Sequence, residues 1–141
     1  KLMVNFGHLD PKYTDSKVAG DGYQIEQFPY SPENSLYVSL EKDFGAYRMR
    51  LDHNRKSEYS TNPYNGKDPR AALSMMDGYG VTDFRLLMEP TEDMALTFWI
   101  KNLTDANYAV NAIPFGPGFG QLTVSYFGAP RTIGMDISYK F

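Results

Sequence analysis

Two histidines, His8 and His53, are the only imidazoles in the 141 residues, and there is no cysteine. Thiolate nucleophiles, thiolate metal sites and disulfides are therefore absent from this sequence. Ser, His and Asp can be combined on paper, but no serine sits in a Gly-x-Ser-x-Gly setting. Gly116-Pro117-Gly118-Phe119-Gly120 is as glycine-rich as a phosphate loop, yet the Lys-Ser/Thr and helix start that would hold a nucleotide do not follow. It reads as a flexible loop tip. Asp10, Asp15 and Asp21 lack the spacing of a calcium-binding loop. Asn102-Leu103-Thr104 fits the glycosylation sequon, a match short enough to be accidental. Each histidine falls on the apolar side of a strand near its end, the position of a residue at an interface rim. No catalytic residue, metal or cofactor is expected. The chemistry left is recognition: Tyr108, Phe115, Phe119 and Tyr126 crowd one long connection and could cover an apolar or aromatic ligand. Tyr59, Tyr64 and Tyr79 could do the same from the connection before it. The competing reading is that these rings pack the loops against each other or sit at the outer interface.

The elements that must hold those loops alternate apolar and polar residues. In the closing run, Ile133, Met135, Ile137, Tyr139 and Phe141 alternate with Thr132, Gly134, Asp136, Ser138 and Lys140, giving an extended strand one oily and one wet face. The same device places strands near 1–9, 35–43, 46–55, 80–89, 94–102 and 131–141. Asp43-Phe44-Gly45 and Pro90-Thr91-Glu92-Asp93 are tight turns. The other connections, 10–34, 56–79 and 103–130, are long, and a short extension from Tyr23 to Phe28 could pair within the first. Long and short connections alternate, so in a meander all long loops gather on one rim. Outer-membrane barrels have that asymmetry, with short periplasmic turns and long extracellular loops.

The wet faces carry Arg48, Arg50, Asp52, Asp83, Arg85, Lys101, Asp136 and Lys140. Such charges are costly in a protein core unless fully paired and comfortable in a watery lumen. Arg48, Arg50, Asp83 and Arg85 are the candidates to hydrogen-bond a plug, or else to neutralise one another across neighbouring strands. The oily faces predict a lipid belt of Leu36, Val38, Met49, Leu51, Phe84, Leu86, Phe98, Ile100, Met135 and Ile137. Mean hydropathy of -0.47 is compatible with this, because a membrane strand needs only alternate residues apolar. No apolar run is long enough for a transmembrane helix, and a net charge of -3 argues against a nucleic-acid binder. Opening in mid-strand at Lys1-Leu2-Met3, the chain reads as a piece of something longer. A soluble sandwich also alternates. So would a complete small barrel that recruits Tyr23 to Phe28 and Gln121 to Phe127.

Asn102-Leu103-Thr104-Asp105 directly after a strand, then Tyr108, then Tyr126-Phe127-Gly128-Ala129-Pro130-Arg131-Thr132 leading into the strand ending on Phe141, resembles the C-terminal end of TonB-dependent outer-membrane receptors. Asp10 with Tyr13-Thr14-Asp15, and Pro29-Tyr30-Ser31-Pro32 before Ser35-Leu36, resembles that family's penultimate loops. The resemblance implies an all-β fold: an antiparallel meander of about six long strands, the C-terminal portion of a plugged transmembrane β-barrel of about 22 strands. It also implies a transporter in the outer membrane of a Gram-negative cell, not an enzyme, taking up a scarce ligand such as a ferric siderophore. Its partners would be outer-membrane lipid, the rest of the barrel and plug of the same receptor, and the TonB complex, reached through an N-terminal region outside this chain. Phe141 would be the terminal aromatic recognised by the barrel-assembly machinery.

Overall fold

The computed structural model describes residues 1–14, 27–63, 69–120 and 122–141. Six strands form one antiparallel sheet: β1 (Leu2–His8), β2 (Asn34–Asp43), β3 (Tyr47–Lys56), β6 (Tyr79–Thr91), β7 (Met94–Lys101) and β10 (Thr132–Tyr139), side by side in that order. Two small hairpins lie apart from it. β4 (Tyr59–Ser60) pairs with β5 (Met75–Met76), flanking the short helix α1 (Pro69–Leu73). β8 (Ala109–Pro114) pairs with β9 (Thr123–Phe127) across a 3₁₀ turn at Pro117–Phe119.

The register converts local alternation into two continuous surfaces. Leu2, Leu40, Leu51, Phe84, Ile100 and Ile133 are successive partners across all six strands. Met49, Leu86, Phe98 and Met135 form the next row. On the opposite face run Glu41, Arg50, Arg85, Trp99 and Gly134. A register slip of one residue on any strand would swap its faces, so a pattern this regular pins the pairing.

Among the described residues no protein layer covers the apolar face. Leu2 is 66% exposed, Met135 59% and Ile137 62%, whereas a soluble sandwich would inter-digitate such side chains with a second sheet. The buried apolar residues among those described are Tyr59, Ala71, Met76 and Ala112, all in the long connections. The core of this chain is in its loops, and its wall is bare.

Turn chemistry explains the short connections. Gly45 takes φ 83°, a conformation cheap only for glycine, while its N–H donates to Asp43 Oδ1 at 2.8 Å and Phe44 N–H donates to Tyr47 O at 2.8 Å. The second turn is tighter than 90–93. β6 continues through Pro90 and Thr91, so the reversal falls on Glu92-Asp93, and the register shifts between Met88 and Thr91. Pro90 is tolerated because that irregularity relieves it of a ladder hydrogen bond.

Two further sequence expectations need correction. The connections 56–79 and 103–130 are not plain loops, since they carry α1 and both hairpins. The glycine-rich stretch does sit at a loop tip, where it makes a 3₁₀ turn with Phe119 N–H donating to Gly116 O at 2.9 Å. In the run Gln121 to Phe127, Gln121 lies outside the described residues and Thr123–Phe127 does not add a strand to the wall: β9 pairs with β8 instead, which removes the contribution expected for a small complete barrel. In the proposed pairing Tyr23 to Phe28, residues 23–26 lie outside the described residues, as do Tyr64, Asp15 and Asp21; Gln27 and Phe28 are not in a strand.

Gly134 shows why a glycine interrupts the closing strand. Its register partner Trp99 lays its indole across the site where a Cβ would project, and Trp99 Nε1 donates to Asp136 Oδ2 at 3.0 Å. The aromatic ring thus covers backbone that a glycine leaves bare.

Candidate functional site

The long connections converge at one end of the sheet and bond to each other through side chains. Three consecutive residues of β8 each accept a hydroxyl: Val110 O from Tyr59 Oη at 2.9 Å, Asn111 Oδ1 from Tyr30 Oη at 3.1 Å, and Ala112 O from Thr61 Oγ1 at 2.9 Å. Tyr30 comes from the first connection and Tyr59 and Thr61 from the second, so all three are tied together. Beneath them Thr61 N–H donates to Ser74 O at 2.9 Å, and the fully buried Ser74 donates from Oγ to Arg70 O at 2.7 Å, closing the end of α1. Asn62 Nδ2 also donates to Ser74 Oγ.

The aromatic candidates separate. Tyr108 stacks on Tyr79 with centroids 4.3 Å apart, and its ring lies against Gly128, whose N–H donates to Tyr108 O at 2.9 Å. Phe115 and Phe119 meet edge to face at 5.9 Å at the hairpin tip, where Phe119 is 75% exposed. Tyr126 stands on β9 opposite Asn111, also exposed. The structure thus brings Phe115 and Phe119 together and places Tyr108 elsewhere, with Tyr79. Tyr59 is only 7% exposed and its hydroxyl is spent on Val110, so it packs loops instead of facing a ligand.

Burial pushes the Tyr59 phenol up to about 12, helped by the neighbouring Tyr79 and Tyr30 hydroxyls, and burial likewise raises Tyr108. A folded-state value above the ordinary one, near 10, stabilises the neutral form, so this contribution is complete below about pH 10. It is lost as pH climbs through about 12. An absorbance titration at 295 nm is expected to show a phenol titrating near pH 12 that Tyr59→Phe removes. A single ionisation step at the ordinary tyrosine value would contradict the packed cap.

On the polar face the four charges behave differently from one another. Arg48 pairs across strands with Asp43 at 3.1 Å. Arg50 donates along its own strand to Asp52 at 2.9 Å and from Nη2 to the Tyr37 hydroxyl at 2.9 Å, while Tyr37 Oη donates to Asp52 Oδ1 at 2.7 Å. On the β6 side Arg50 faces Arg85 and Asp52 faces Asp83, and like charges directly opposite repel; on the β2 side Arg50 faces Glu41, yet its bonds go to Asp52 and to the Tyr37 hydroxyl. Arg48 is thus neutralised across strands and Arg50 along its own. Asp83 accepts the Asn102 N–H at 2.9 Å, and Arg85 is exposed without a side-chain partner among the described residues.

Asn102 is the residue that inspection of the sequence undervalued. It is 2% exposed and sits at φ 51°. Its Nδ2 donates to Ala106 O at 2.9 Å and Ala129 O at 3.1 Å, and its Oδ1 accepts Ala106 N–H at 2.9 Å. Asp105 extends the clasp, accepting Arg131 N–H at 3.1 Å. The Asn102-to-Asp105 motif therefore sews the start of the last connection to its return at Ala129 and Arg131. The available signal was an Asn after a strand with Asp three residues on, a pair of turn formers. The histidines are accounted for by side-chain contacts: His8 Nδ1 lies 3.0 Å from Asn34 Oδ1 and 3.9 Å from Glu33 Oε1, and His53 Nδ1 lies 2.9 Å from Thr82 Oγ1. Among the described residues no group of acidic, His or Cys side chains is arranged to hold a metal ion.

A bare apolar face, a charged opposite face and loops gathered at one rim define the antiparallel wall of a transmembrane β-barrel. Among solved structures, the chain resembles the ferric yersiniabactin uptake receptor FyuA of Yersinia pestis, with TM-score 0.65 and 21% identity over 80% of this chain and 17% of that one. It also resembles the closed form of the ferric-catecholate import receptor Fiu of E. coli K12, with TM-score 0.74 and 17% identity over 100% of this chain and 19% of that one. The chain thus spans less than a fifth of either receptor. No protein-family model matches it, and no curated protein matches its sequence. The likeness is one of fold.

Proposed function

We propose that this chain is part of the barrel of an outer-membrane TonB-dependent receptor that imports a scarce ligand such as a ferric siderophore, driven by TonB. The observation that carries this reading is the uncovered apolar face running in register across six strands, capped at one rim by interlocked loops. That both structural neighbours are iron-complex uptake receptors supports the class of ligand. Residues 1–141 form a partial barrel in this reading, with outer-membrane lipid on the apolar face and a plug of the same receptor on the polar one. Arg48, Arg50, Asp83 and Arg85 face that plug. Tyr108, Phe115, Phe119 and Tyr126 belong to the ligand-facing loops, and Phe119 and Tyr126 are exposed enough to touch one. The role is transport, with no catalytic step.

Iron-limited cells carrying the protein are expected to accumulate a radiolabelled ferric siderophore, screened over catecholate and yersiniabactin-type complexes, and to stop when TonB is deleted. Accumulation indifferent to TonB, or recovery of the protein from the soluble fraction without detergent, would overturn the reading.

A further inference from the structure

A cavity of about 280 Å³ opens between the segment from Met75 to Tyr79 and the corner formed by Asn107, Tyr108, Ala109 and Phe127. Its lining combines three aromatic rings with one carboxylate. Tyr79 and Tyr108 are stacked, Phe127 is 64% exposed, and Met76 is buried beside them. Asp77 is exposed and has neither a hydrogen bond nor an ion pair among the described residues. No Lys, Arg or His lines the cavity. Lys56, though the Cα partner of Tyr79, is not among its lining residues. Asp83, outside the lining, lies close enough to Tyr108 to disfavour its ionisation. Aromatic faces carry negative charge density and attract cations, and an unneutralised carboxylate adds to that field.

We infer that this cavity binds a compact organic cation, an ammonium or guanidinium carried on a small apolar body, with Asp77 opposing the charge, the exposed Phe127 ring against the body and the stacked Tyr79 and Tyr108 lining its side. A volume of about 280 Å³ is at the lower end for ligand pockets and suits one such group better than a whole large ligand. The assignment rests on the receptor reading only for its biological role, in which the cation is a substituent of the imported ligand.

The test is calorimetric titration of the detergent-purified protein with benzylammonium, using benzyl alcohol as the neutral counterpart of similar shape. Benzylammonium is expected to bind saturably, about tenfold more tightly than the alcohol. Asp77→Asn should abolish that preference, and Phe127→Ala should weaken both probes. Both side chains are exposed, so the variants should keep the heat-modifiable mobility of a folded barrel. Equal affinities for the two probes, no saturable binding, or an Asp77→Asn variant that still prefers the cation would overturn the site. Any of these in a protein that still inserts into membranes and still imports by way of TonB would leave the receptor reading untouched.

Discussion

Asn102→Ala is expected to release the last long connection from the wall. The substitution deletes two donors and one acceptor, stranding Ala106 O, Ala129 O and Ala106 N–H in a position where Asn102 itself is 2% exposed. Each unpaired buried polar group costs about 1–3 kcal/mol. The backbone adds to this, because φ is 51° there and alanine lacks the local hydrogen bond that lets asparagine occupy the left-handed region. Ala106 is half-buried and Ala129 exposed, so water reaches part of the stranded set and the loss is about 2–3 kcal/mol. It should be local, since the strands on either side keep their ladders. Hydrogen exchange should accelerate at the amides of Leu103, Ala106 and Arg131, and limited proteolysis should cut within 103–131. Asn102→Asp is no remedy: it restores an acceptor for Ala106 N–H while placing a carboxylate near two carbonyls and Asp83. Wild-type exchange in the alanine variant would show that the clasp is incidental.

Met135→Arg tests the wall itself. Met135 is in register with Phe98, which faces Leu86 and, beyond it, Met49, so the new guanidinium would enter the middle of the apolar surface. A charged residue on the lipid face near the bilayer midplane costs about 2–4 kcal/mol. The protein already holds a cation one residue from that row, since Arg85 precedes Leu86 and points to the other face. Thr97→Arg, on that polar face opposite Asp136, should therefore change stability by less than about 1 kcal/mol. Urea titrations of the protein folded into lipid vesicles compare the two variants directly. Equal losses, or no loss for Met135→Arg, would mean that the exposed apolar surface is not the lipid-facing one.

Much of the wall was legible from residue types alone, and much of the rim was not. Met135 and Ile137 announce their face because alternation is a property of consecutive residues. Arg48 and Arg50 look equivalent by the same criterion, and each has an acid opposite it on β2, yet one pairs across strands and the other along its own with Asp52 and Tyr37, a difference that alternation does not carry. Gly134 resembles a flaw in the closing strand until Trp99, 35 residues earlier by their numbers, is seen lying over it. Tyr59 and Phe119 both read as loop aromatics, but one is packed against β8 and the other is open to solvent.

The sequence by itself determined the class of surface each strand presents, because an extended backbone sends neighbouring side chains to opposite sides whatever surrounds it. It also determined where the chain reverses, through local turn chemistry at Asp43 to Gly45 and near Asp93. Only the tertiary structure decided how the long connections are spent: Tyr30 reaches a partner 81 residues away, and Tyr59 one 51 residues away. Contacts at such separations leave no periodicity in the chain, since they depend on the sheet first bringing its loops to a common rim.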